Sequence, residues 1–163
     1  MPSWIKNPRI VVPGVLGVAA LLWLAFGFFG VHLLFTEDRA AEAPPVFDAG
    51  TSADGVVTEF SGSFVGLDHP TSGQAIVLGN GTGQRFLRLE AFETDNGPDL
   101  DVYLVNSAAG GVEDAIVLGD LKGNIGDQNY EIPEGVDLSV YDTVVVWCVR
   151  FSSPFGEATL APA

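Results

Sequence analysis

Cys148 is the only cysteine of the chain and lies in the apolar run 143–151, TVVVWCVRF. A thiol can exchange electrons or bind a soft metal, and it does both as the thiolate. In an extended strand Cys148 shares a face with Val144, Val146 and Arg150, so the Arg150 guanidinium is expected to favour the ionised sulfur. The same spacing also fits a small core hydrophobe followed by an arginine at an exposed strand end. His69 is the only histidine beyond the apolar N-terminal run, and it is a candidate ligand or proton partner for the sulfur. His32, near the outer end of that run, is expected at the membrane interface. A third group is the acidic turn 94–101, where Asp95, Asp99 and Asp101 offer carboxylates around Asn96-Gly97-Pro98. Calcium takes about 6 to 8 oxygens, so these three residues could supply part of a site.

Other chemistries have no residues to carry them. The sequence has no Cys-x-x-Cys, no Cys-x-x-Cys-His haem attachment, no Gly-x-Ser-x-Gly and no phosphate-binding glycine loop. The reading is therefore of a redox or binding module rather than a stand-alone enzyme. All 21 acidic residues lie beyond Thr36 against five basic ones, a net charge of −16 for that part of the chain. Nucleic acid is excluded as a partner, because its affinity depends on cations that neutralise phosphates. Anionic headgroups would be repelled as well.

The chain of 163 residues has room for one domain and an anchor. Residues 1–9 read as a cytoplasmic N-terminus and 10–35 as a transmembrane signal anchor: about 26 uncharged residues at ~1.5 Å each span roughly 39 Å, against a bilayer core of ~30 Å. Lys6 and Arg9 before this run, and Glu37 and Asp38 after it, place the N-terminus inside and the rest outside the membrane. The small-x-small pattern of Ala41-Glu42-Ala43 raises a cleaved signal peptide as the competing reading, but secretory apolar cores run only about 7 to 15 residues. An uncleaved anchor is expected, with the lipid bilayer as its partner. Residues 36–55, rich in Ala, Pro and Asp, read as a flexible linker, and 56–163 as an extracytoplasmic β domain.

Within that domain the expected strands are 57–66, 74–78, 84–92, 100–105, 115–118, 128–132, 143–151 and 157–160, separated by turns such as Asn80-Gly81 and Asn96-Gly97-Pro98. Residues 138–141 are expected to form a single helical turn. About eight short strands with this punctuation predict an all-β fold, an antiparallel sandwich or jelly roll, behind one transmembrane α-helix. The run 143–151 is apolar at nearly every position, which makes it the most central strand.

A series of short motifs also resembles a known family. Glu59-Phe60-Ser61-Gly62-Ser63-Phe64, His69-Pro70-Thr71-Ser72-Gly73, Phe86-Leu87-Arg88-Leu89, Asn96-Gly97-Pro98-Asp99-Leu100, Leu121-Lys122-Gly123-Asn124-Ile125-Gly126-Asp127-Gln128-Asn129-Tyr130, Val146-Trp147-Cys148 and Phe155-Gly156 are similar, in order, to the electron-transfer DM-thirteen domain. The resemblance runs from about residue 57 to residue 160. It implies a β-rich extracytoplasmic domain whose signature cysteine, here Cys148, works in redox chemistry as a bare thiol or by holding a prosthetic group such as haem. It also implies a separate redox protein as the electron partner. The alternative reading is a non-enzymatic cell-surface module, with calcium on Asp95, Asp99 and Asp101. An intermolecular disulfide through Cys148 is a third expectation.

Overall fold

The computed structural model describes residues 8–47 and 55–163, and the chain divides after Thr36 into two units. In the first, α1 (Pro8–Leu22) continues through a π-helical stretch, Trp23–Phe28, to a short 3₁₀ turn, Val31–Phe35. Its stretch Val11–Phe28 is long and apolar enough to cross a bilayer.

The second unit is all-β. One sheet has the order β1 (Arg39–Ala41), β8 (Ile125–Ile132), β5 (Arg85–Thr94), β4 (Thr71–Gly79), β2 (Val57–Ser63), β11 (Ala161–Pro162). The other has β3 (Val65–Gly66), β10 (Ser153–Thr159), β9 (Thr143–Cys148), β6 (Leu100–Val105), β7 (Ile116–Asp120). Side chains of both sheets meet in one core that includes Val77, Leu87, Leu89, Phe92, Leu104, Val144 and Val146. β9 is the middle strand of its sheet because β-branched residues fill it, and Val144, Val146 and Cys148 point inward with no exposure. The run 57–66 divides at Phe64 into strands of different sheets, and the 138–141 segment turns back through Val140 and Tyr141 N–H groups that donate to the Asp137 carbonyl.

Two expectations are corrected. The segment read as a flexible linker carries β1, which pairs in parallel with β8, Ala40 lying opposite Gly126. A side chain at Gly126 would occupy the space of the Ala40 backbone, so this pairing needs a glycine. Phe47 is also docked, buried edge-on against Phe86. Residues 48–54 of that linker lie outside the described residues. The other correction concerns β9, which stops at Cys148. A four-residue turn, 149–152, leads into β10, with Ser153 opposite Cys148 and Ser152 at a positive φ of 50°. Strand alternation therefore ends before Arg150, which is exposed in the turn and does not share a strand face with the sulfur.

The β1 segment is held by charge as well as by pairing. Lys122 Nζ reaches both Glu42 carboxylate oxygens at 2.9 and 3.0 Å, and the Asn129 amide donates to Oε2 at 2.7 Å. Burial works upward on the Glu42 carboxyl, but the Lys122 hydrogen bond and then the Asn129 amide outweigh it and hold the group below its ordinary value. A carboxyl lowered in the folded state contributes stability above its unfolded value and loses it as pH falls through the folded one. Acidification below about pH 4 is thus expected to loosen this segment. Amide exchange of Glu42, whose N–H donates to the Asp127 carbonyl at 2.9 Å, should, once corrected for the intrinsic rate, speed up there in the native chain and lose that pH dependence in Glu42→Gln.

Candidate functional site

The sequence-predicted residues gather at one end of the sandwich. Cys148 closes β9 there, between Leu100 of β6 and Ser153 of β10. Its side chain has 0% exposure and belongs to the same apolar cluster as Leu100, Val146 and Phe155. Three loops are stitched over this end. The Leu67 amide donates to the Phe155 carbonyl (2.9 Å), the Asp68 amide to the Pro154 carbonyl (3.1 Å) and the Val149 amide to the Asp99 carbonyl (2.9 Å).

His69 does not meet Cys148. Its ring stacks on Phe155 with centroids 3.8 Å apart, and its Nδ1 lies 2.9 Å from Asp95 Oδ2. A carboxylate on one ring nitrogen fixes the imidazole and leaves the other nitrogen for a partner. Beside this pair opens a cleft of about 330 Å³, walled by Gly66 and Pro70 to Ser72 on one side and Glu93 to Asp95 on the other. The hydroxyls of Thr71 and Thr94 sit 2.9 Å apart and buried in its wall. The cleft owes its shape to a bulge. Gly73, at φ 115°, faces Ala91 and Phe92 so closely that a Cβ would come within 2.7 Å of the Phe92 Cα. The register shift turns Thr71 and Thr94 toward each other beyond it.

The three aspartates separate. Asp95 is taken by His69, whereas the Asp99 main chain carries the hydrogen bond from Val149. Asp101 pairs across the sheet with Asp120. Burial, and then repulsion from Asp120 and Asp99, push the Asp101 carboxyl above its ordinary range. Among the described residues, no group of three or more His, Cys, Asp or Glu side chains is placed to hold a metal ion.

Residues 63–160, more than half of the chain, match the family described as electron transfer DM13. The chain belongs to the electron transfer DM13 family. Neither a curated protein nor a solved structure matches it significantly. Haem is the prosthetic group that the resemblance brings in, and the donor set of this DM13 domain does not fit it. An iron needs open space on the sulfur, but Cys148 is sealed in apolar packing, and the cleft beside His69 is not lined by Cys148. A volume of 330 Å³ also lies at the small end of the ~300–1,000 Å³ typical of ligand sites. With the 149–152 turn closed, the same packing lies between the sulfur and a second copy's thiol.

Sequence reasoning missed Phe155 as the partner of His69. The residue stands in the Phe155-Gly156 motif, and Gly156 admits the Thr71 side chain where a Cβ would otherwise sit. The bulge that turns Phe155 inward, between Pro154 and Gly156, has no signal in hydrophobic periodicity.

Proposed function

We propose that this DM13 chain is a membrane-anchored redox module, its N-terminus cytoplasmic and its β domain extracytoplasmic, in which the Cys148 thiol becomes reactive when the 149–152 turn opens. One observation carries the reading: the sulfur is fully buried, yet it belongs to the last residue of its strand, directly before a turn whose Val149 and Phe151 are 42% and 46% exposed. Turns of this kind open at far lower free energy than sheets do. The positive φ of Ser152, which glycine would tolerate better, lowers that barrier further.

Once uncovered, the thiolate attacks a disulfide of a partner. A bond forms between Sγ and one partner sulfur, and the other leaves as a thiolate that takes up the proton. With a single cysteine in the chain, a thiol from a second molecule must resolve this mixed disulfide. The Arg150 guanidinium, two residues along, is the cation that the opened turn brings to the thiolate.

The test is to follow the reaction of the full-length chain in nanodiscs with an aromatic disulfide reagent whose released thiolate is coloured, at increasing low urea. Reaction through turn opening proceeds under native conditions with little dependence on urea. Ser152→Gly should slow it about two- to threefold, by relieving the strain that favours opening. A rate that appears only with the steep urea dependence of global unfolding would leave Cys148 a core residue and end the proposal.

A further inference from the structure

The loop end above Cys148 has the composition of a small docking surface. Leu67, Val149 and Phe151 expose 47%, 42% and 46% of their surfaces on loops that backbone hydrogen bonds hold side by side. The adjoining loop positions carry the exposed carboxylates of Asp68, Asp99 and the His69-paired Asp95, with Arg150 the one cation of the turn. Asp68 is fixed there, because Ser153 Oγ donates to its Oδ2 at 2.6 Å. Apolar residues at the centre with charges at the rim are the usual make-up of a transient interface.

From this arrangement we infer that the end formed by loops 66–69, 95–99 and 149–152 docks a second protein that presents lysines and arginines around an apolar contact. The choice of partner follows from charge. The part of the chain beyond Thr36 carries −16, so it steers basic proteins inward and repels acidic ones. The same charge disfavours anionic lipid as the occupant. With only three apolar side chains at its centre, the contact is brief and salt-sensitive, which suits delivery and release at a thiol one residue below the surface. The inference rests on the redox reading above and names its partner class.

Cytochrome c, a basic protein with lysines around its haem edge, serves as the probe. It is titrated into the isotope-labelled full-length chain in zwitterionic nanodiscs, and amide shifts are followed. Shifts are expected at 67–69, 95–99 and 149–152, lost when the probe's lysines are acetylated and weakened at least tenfold between low and physiological salt. Phe151→Ser should weaken binding about tenfold, and Asp68→Asn with Asp99→Asn should flatten the salt dependence. Glu134→Gln, in the turn at the opposite end of β8, should change nothing. The mapping on the unsubstituted chain stands even if a variant fails to fold.

Shifts spread evenly over the acidic surface, Glu134 included, would overturn the assignment, and so would no shift at all. The same amides moving in nanodiscs enriched in anionic lipid, without the probe, would make the occupant a membrane and likewise overturn it. If docking fails while the native thiol still reacts, this inference alone is lost. If docking holds while Cys148 stays sealed, the thiol mechanism is lost and the surface remains.

Discussion

Gln128→Leu is expected to lower the stability of the β domain by about 3 kcal/mol, a fall of roughly 15 °C in melting temperature for a domain of this size. Gln128 has no exposure, and both polar atoms of its amide are hydrogen-bonded. Its Nε2 donates to the Gly123 carbonyl at 2.8 Å, while Oε1 accepts from Tyr130 OH at 2.7 Å and from the Lys122 amide at 3.0 Å. Leucine fills nearly the same volume, so the loss comes from polar groups rather than from a cavity: the Gly123 carbonyl loses its donor, and the Lys122 amide and Tyr130 hydroxyl keep only their longer contacts, 3.2 Å to each other and 3.3 Å to the Asp120 carbonyl. Burial, the larger influence on Tyr130, pushes its phenol well above the ordinary range, so the hydroxyl keeps its proton and needs an acceptor. Tyr130→Phe alone is expected to cost about 1 kcal/mol. In the Gln128→Leu background it should cost less, because the nearer of the hydroxyl's two acceptors has gone and only the Asp120 carbonyl, at 3.3 Å, remains. Urea denaturation of the four chains measures this, and additive losses would rule out the coupling. The loss also reaches the cleft. The loop fixed by Gln128 carries Asn124, whose Nδ2 donates to the Thr94 carbonyl at 2.8 Å.

Much of the β domain was legible because β-branched and aromatic runs cut by turn residues leave few other folds. Strand 100–105 stands as expected, and β9 is central for the reason its composition suggests: neither of its faces is polar. Its end was not legible. Val149-Arg150-Phe151 continues the same residue types past Cys148, and what stops the strand is a turn geometry that includes a left-handed serine. β1 was hidden for a different reason. Arg39-Ala40-Ala41 has no β-forming side chains, and the pairing depends on a glycine about 85 residues later. The site divides along the same line. Sequence supplied Cys148 and His69 as residue types, but the contact of His69 with Asp95 crosses 26 positions. Asp95, read as an oxygen donor for a cation, is instead the group that fixes an imidazole.

The consequence for function is that the segment around β1 and the loop end belong to one construction. Asp38 N–H donates to Asn124 Oδ1 at 2.7 Å, and Asn96 Nδ2 to the Asp38 carboxylate at 3.1 Å, so the residues just after the apolar segment are tied to the loops around the thiol. A segment held in this way keeps these loops in a preset arrangement, unlike a loose linker.

Arg88→Met tests how that construction is held, with an expected loss of about 3 kcal/mol. Arg88 is only 4% exposed in β5, between β4 and β8. Its Nε donates to Glu90 (2.7 Å), Nη2 to Asp127 (2.7 Å), and Nη1 to Asn129 Oδ1 (2.9 Å) and the Glu42 carbonyl (3.2 Å). One guanidinium thereby joins two strands to the segment that follows β1. Methionine keeps the length and the packing but leaves Asp127 and Glu90 without their cation. Those carboxylates are 40% and 44% exposed, so water offsets part of the penalty and keeps it at the lower end for a broken buried pair. Arg88→Lys should recover less than half of the loss, since an ammonium cannot make the planar fork to four acceptors. The local effect separates this from general destabilisation. Asp127 Oδ1 accepts the Ala91 amide at 2.9 Å, at the positive-φ residue of the bulge that shapes the cleft. Hydrogen exchange should therefore accelerate at Ala91 and Glu42 more than the global loss accounts for, while Val144 to Val146 in β9 follow the global loss alone. Uniform acceleration, or full rescue by lysine, would mean that Arg88 contributes burial and charge but does not tie the segment after β1 to the cleft.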